Sequence, residues 1–130
     1  MCIVKVKGKK MIQVYHRTWT AEDEFTVLVH GSPVMNNPQE LVAEVLTDSL
    51  EEAYRMTQNI NGSWSKTRLV FDENDRLVVN EDFHPEVWVK APLHVVDGRE
   101  YGLRSTMMGD IMVKDGKKYR VDFFGFKEVA

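Results

Sequence analysis

Leu103-Arg104-Ser105-Thr106-Met107-Met108-Gly109-Asp110-Ile111-Met112-Val113, followed by Asp115-Gly116, Tyr119-Arg120-Val121 and Gly125-Phe126, is the stretch whose reading decides the fold. Residues 111 to 114 and 119 to 124 are rich in β-branched and aromatic side chains, and Asp115-Gly116 between them tolerates the left-handed backbone of a tight hairpin. A C-terminal hairpin, central to a sheet, is expected. Just upstream, Arg104, Ser105 and Thr106 set a guanidinium and two hydroxyls beside the Gly109-Asp110 turn. These groups suit the holding of a phosphate or carboxylate. The alternative is structural: Arg104 pairs with an acid such as Asp110 while Ser105 and Thr106 bond the loop backbone.

Outward from this stretch, the next firm element is a helix. Asp48-Ser49-Leu50-Glu51-Glu52 carries the Ser-x-x-Glu spacing of a capping box, in which the Ser side chain and the Glu satisfy free N–H groups of the first turn. Leu50, Ala53, Tyr54, Thr57 and Ile60 then recur at helical spacing, so a helix over about 49–59 should pack on a sheet and leave Glu51, Glu52, Arg55 and Gln58 in water. Asn59-Ile60-Asn61-Gly62 ends it. Residues 40 to 47 read as helix or strand, and strand is preferred because a new helix starts directly after them.

The remaining segments are β-like. Residues 2 to 7 and 11 to 16 are expected to form a hairpin around Gly8, and 25 to 30 a further strand. Residues 66 to 71 and 76 to 80 flank the turn signal Asp72-Glu73-Asn74-Asp75. Residues 86 to 90 and 93 to 96 are short strands confined to edges or strand starts by Pro85 and Pro92, with Asp97-Gly98 as a turn. The expectation is a single α+β domain over 1–130: a bent, mostly antiparallel sheet or partly open barrel packed by one main helix.

Composition narrows the function classes. At 130 residues, 43% hydrophobic and 28% charged, the chain is long enough for a core without disulfides or metal. No apolar run approaches a membrane span, no secretion signal is read, and the single Cys2 suits a reducing compartment. The cytoplasm is the expected location, with no membrane association. A net charge of −3 argues against direct nucleic-acid binding. Locally, Asp72, Glu73, Asp75, Glu81, Asp82 and Glu86 face Arg76 alone, a balance of −5 over 72–86. That is either a solvated hairpin or an acidic surface for a basic partner.

Catalytic patterns are missing. His16, His30, His84 and His94 have no metal-ligand spacing, Cys2 and the serines lie in no nucleophile motif, and no phosphate-binding glycine loop occurs. The protein is not expected to be an enzyme, to bind a metal or to need a cofactor. A second candidate cluster lies past the helix, where Trp64 could stack on a planar ligand, Asn59 read its edge and Arg68 add charge. Against this stands packing, since an indole after a helix end commonly covers the core. Trp19 and Trp88, among polar neighbours, suit an interface.

Leu50-Glu51-Glu52-Ala53-Tyr54, Thr57-Gln58-Asn59-Ile60, Ser63-Trp64, Arg104-Ser105-Thr106, Gly109-Asp110, Gly116, Tyr119, Val121 and Gly125-Phe126 together resemble a family of small, largely uncharacterised bacteriophage-encoded proteins. The likeness covers roughly 41–128 and is weak in the middle. Met107 stands where that family has Ser, and the segment between Trp64 and Arg104 is longer than in compact relatives. The resemblance implies an accessory protein acting in the infected host cell. On this reading it binds a ligand and counters a host defence by capturing a nucleotide-like signal, with Arg104, Ser105, Thr106, Asn59, Trp64 and Arg68 as the site and a homodimer completing it. The rival reading makes the acidic stretch an inhibitor surface for a basic, nucleic-acid-handling host enzyme; a third makes the protein a structural phage component.

Overall fold

The computed structural model describes residues 11–17 and 39–129. Within them the strands are β1 (Met11–Arg17), β2 (Gln39–Leu46), β3 (Leu69–Phe71), β4 (Leu77–Val79), β5 (Val87–Val89), β6 (His94–Val96), β7 (Arg99–Tyr101), β8 (Ile111–Lys114), β9 (Lys117–Asp122) and β10 (Gly125–Val129), with one helix, α1 (Leu50–Met56). Six strands form an antiparallel sheet in the order β10-β9-β8-β1-β2-β5, and β3-β4 and β6-β7 are separate two-stranded hairpins. The sheet is open, with β10 and β5 at its edges, so the barrel form of the expectation is not what the described residues build. The expected strands at 2–7 and 25–30, and Trp19, lie outside the described residues.

Strand β1 sits in the middle of this sheet, flanked by β2 and β8. Its burial alternates, with Ile12, Val14 and His16 inward, as a strand with one covered face requires. On β2 the alternation breaks: Val42 and Ala43 are both buried. The cause is a register shift opposite Val14 and Tyr15, where Ala43 pairs with Val14 and Leu41 with Tyr15, leaving Val42 as an extra residue. The inward face meets Ala53 and Met56 of α1 and Trp64, with Leu50, Tyr54 and Phe126 packed at the margin.

Half of the expected capping box forms: the Ser49 hydroxyl accepts from the Glu52 N–H at 3.1 Å, while the Ser49 N–H donates to the Thr47 hydroxyl at 3.2 Å in place of the Glu52 side chain. The helix ends three residues earlier than its apolar spacing indicates. Thr57 leaves helical geometry (φ −112°, ψ 36°). Its hydroxyl bonds the carbonyls of Ala53 and Tyr54, and the Gln58 amide also donates to Tyr54. Side chains thus take the last carbonyls in place of another helical turn. Ile60, placed on the apolar face by periodicity, is 67% exposed.

Turn chemistry sets the hairpins. Asp97-Gly98 and Asp115-Gly116 both have positive φ at each residue (52° and 76°; 53° and 75°), the geometry that joins two twisted strands in two residues. The β9–β10 connection differs from the sequence expectation. Strand β9 stops at Asp122, Phe123 and Phe124 form a turn, and Gly125 (φ 108°) opens a further strand.

Candidate functional site

Loop 103–110 connects the hairpin β6-β7 to β8 and is held by a buried carboxylate. Asp110 is fully buried. It pairs with Arg104 through two hydrogen bonds, Nη1 to Oδ2 at 2.7 Å and Nη2 to Oδ1 at 2.8 Å. It also accepts from the backbone N–H of Arg17 at 3.0 Å and of Met107 at 2.8 Å. The Arg104 guanidinium further donates to the carbonyls of Ser105 and Arg17. A parallel Arg–carboxylate fork is among the stronger directional contacts available to a protein. Here it ties the loop to the end of β1.

Behind this fork runs a chain of hydroxyls. Thr57 donates to the Ala53 carbonyl at 2.9 Å, and Thr106 donates to the Thr57 hydroxyl at 2.7 Å. The Thr106 proton is therefore committed, and its 2.9 Å contact with His16 Nε2 needs the imidazole as donor. Neutral His16 is thus the Nε2–H tautomer. Burial pushes its pKa down to about 4; the nearby Asp110 carboxylate acts in the opposite sense and the Arg104 guanidinium adds to the fall. The ring meets Trp64 edge-on, with centroids 5.9 Å apart.

The structure brings five of the six expected site residues together. Asn59 donates its backbone N–H to the Ser105 hydroxyl at 2.8 Å and its side-chain amide to the Leu103 carbonyl at 3.0 Å, while its Oδ1 accepts from the Trp64 N–H. Trp64 is 1% exposed, and its indole N–H donates to the Arg104 carbonyl at 2.8 Å. Gln58 closes the seam by donating to the Thr106 carbonyl. Asn59, Trp64, Arg104, Ser105 and Thr106 therefore meet as a seam bonded to itself, and Trp64 presents no open face on which a ligand could stack. Arg68 stands apart, with its guanidinium 4.9 Å from the Phe83 ring centre.

The acidic stretch divides into two roles. Asp82 is 7% exposed and accepts from three successive backbone N–H groups, those of Ile60, Asn61 and Gly62, at 2.6–2.9 Å. Asn80, 3% exposed, braces the same loop through the Ser63 N–H and carbonyl and the Thr67 carbonyl. Gly62 is required there, because a Cβ would run into the Asn80 side chain. Asp72 shapes the β3–β4 turn by accepting from Asn74 and Arg76. Glu73, Asp75 and Glu81 remain in water. Arg17 and Asn80 were not singled out from sequence, and His16 and Asp82 were weighed only as a metal ligand and as one of the surface acids; the Asn80-x-Asp82 spacing is the one local signal that could have pointed to a loop anchor.

The exposed apolar side chains have a pattern. Leu69 pairs with Val79 and Phe71 with Leu77 across β3 and β4, so all four lie on one face of that hairpin. They are 48%, 67%, 71% and 57% exposed. Shallow concavities run along α1 beside Ser49, Tyr54 and Arg55, and at the β9–β10 turn; neither is lined by Arg104. Among the described residues no group of three His, Cys, Asp or Glu side chains could hold a metal ion, and no helix is long and apolar enough to cross a membrane. No family model, curated protein or solved structure matches this chain.

Proposed function

We propose that this is a non-enzymatic binding protein, of the phage-encoded accessory kind its sequence resembles, that works by protein–protein contact in the host cell. One observation carries the reading: Leu69, Phe71, Leu77 and Val79 form an exposed apolar face on a hairpin whose exposed charges are Glu73, Asp75 and Glu81 against Arg76 and, at its base, Arg68. Apolar side chains ringed by charge are the composition of an interaction surface. The acidic excess among them favours a partner that is basic, as nucleic-acid-handling proteins are. Capture of a nucleotide-like signal is less well supported, because the Arg104 guanidinium meant for phosphate is already bonded to Asp110, Ser105 and Arg17.

The test is co-purification from host cells of the tagged full chain and two variants. Phe71→Ser/Leu77→Ser cuts away half of the apolar face, and Glu73→Gln/Asp75→Asn removes two of the three exposed acids while keeping the Asp72 side chain that holds the turn. Loss of a partner protein in the first and its weakening in the second are expected. A partner retained at wild-type level by both variants would reject the reading. Titration of a cyclic-nucleotide panel decides the ligand question separately, and saturable binding there would favour capture of a nucleotide-like signal over protein contact.

A further inference from the structure

Asn61-Gly62 is the only Asn-Gly dipeptide in the chain. Both residues are exposed, and among the described residues the Asn61 side-chain amide has no hydrogen-bond partner, so it can turn toward its own backbone. Such a pair is chemically reactive. The Gly62 nitrogen, on losing its proton to solvent, attacks the Asn61 side-chain carbonyl carbon; the new C–N bond closes a cyclic imide, and the amide nitrogen takes up a proton and leaves as ammonia. Water then opens the ring. Cleavage on the side-chain side leaves aspartate, and cleavage on the main-chain side leaves isoaspartate, in which the backbone runs through the former side chain. Glycine favours the attack because no Cβ crowds its nitrogen. A bulkier, slower residue cannot replace Gly62, since the Asn80 side chain occupies the space of its Cβ.

The attacking atom is one that Asp82 holds. Asp82 Oδ2 accepts the Gly62 N–H at 2.7 Å, together with those of Ile60 at 2.6 Å and Asn61 at 2.9 Å, and Asp82 is buried. With its hydrogen directed at that carboxylate, the Gly62 nitrogen cannot give the proton to water or swing toward the Asn61 carbonyl until the bond opens. We propose that Asn61-Gly62 is a site of spontaneous deamidation that Asp82 keeps closed in the folded protein. Conversion would be one-way. Isoaspartate inserts a methylene between positions 61 and 62, so the three N–H groups no longer converge on one oxygen, and aspartate sets a second negative charge beside Asp82. The damage reaches the Arg104 seam, because Asn59 and Trp64, on either side of this turn, bond to Ser105, Leu103 and Arg104.

Peptide mapping of the full chain during incubation at mildly alkaline pH, with aspartate and isoaspartate resolved at position 61, tests this. In urea, where the clamp is gone, rapid conversion is expected. The native protein should react more slowly by about tenfold or more, since a hydrogen bond to a charged acceptor must first break, and its Gly62 amide should be protected from hydrogen exchange to a similar degree. Asp82→Ala, shown to be folded by circular dichroism, should convert at close to the urea rate, whereas Ser49→Ala, which weakens the fold at the helix cap, should match the wild type. Asn61→Ser keeps the backbone N–H and should hold its urea midpoint through an incubation that converts the wild type and lowers its midpoint. No conversion in urea, a native wild type as fast as in urea, or equal acceleration by Ser49→Ala would overturn the proposal. So would a folded Asp82→Ala no faster than the wild type, or an equal loss of midpoint in Asn61→Ser. Where Asp82→Ala does not fold, Gly62 exchange in the wild type decides, and an unprotected amide overturns the clamp.

Discussion

Arg104 and Asp110 are the pair on which the loop depends. Removing the guanidinium by Arg104→Ala leaves a fully buried carboxylate with only two backbone donors among the bonds described, and breaking such a pair costs about 3–5 kcal/mol. Urea unfolding of the variant should show a loss of that order. His16 gives a pH signature. Its folded pKa lies near 4 against 6.5 for the free side chain, so the unfolded chain takes up the proton first as pH falls. Stability from this group is complete above pH 6.5 and declines between 6.5 and 4, by about 3 kcal/mol in all. His16→Gln, whose amide can replace the Nε2–H donor, should flatten that slope in urea titrations across the window. The Arg104–Asp110 pair was legible in the sequence because its members stand six positions apart. The contributions of His16 and Arg17 were not, because they come from a strand about ninety positions away and no local pattern points across that distance.

At the scale of elements, the short helix depends on its cap. With seven residues, α1 is below the length at which helices persist unaided, and Ser49→Ala should cost about 1 kcal/mol, read from the urea midpoint. The glycines of two turns make a sharper comparison. Gly109 has φ 95° and its absent Cβ would run into the Arg17 guanidinium, whereas Gly116, at φ 75°, faces open space. Gly116→Ala bears only the backbone penalty of about 1–2 kcal/mol; Gly109→Ala adds displacement of a buried arginine and should be the more damaging in the same assay. Capping and Asp-Gly turns are local chemistry, which is why α1, the β8-β9 hairpin and the Asp97-Gly98 turn could be read from sequence, although the strand β7 that follows that turn was not expected. Strand β10 was hidden because Phe123 and Phe124 have strand propensity and disguise a turn. The early end of α1 was hidden because Thr57 and Gln58, whose side chains take its last carbonyls, are also bonded to Thr106, a partner far along the chain.

For the molecule as described, the core is apolar, but two groups of side chains run against the usual distribution. Much of the hydrogen-bonding capacity of the Arg104 seam is turned inward, while the hairpins carry Leu69, Phe71, Leu77 and Val79 outward. If those four serve contact and not folding, Phe71→Ser/Leu77→Ser should change the unfolding free energy by no more than about 0.5 kcal/mol per site. A loss of several kcal/mol would show that the face is part of the monomer's own core.

The position of β1 in its sheet also governs when the protein can assemble. Its backbone is held on one side by β2 and on the other by β8, and the Arg17 N–H finds its acceptor on Asp110, ninety-three positions later. During synthesis at about 5–20 residues per second, the emerging chain spends seconds with the far edge of β1 lacking β8. Such distant pairing slows folding and lengthens the period in which unpaired strand edges invite aggregation. The yield of native protein should therefore rise with whatever shields β1 during those seconds.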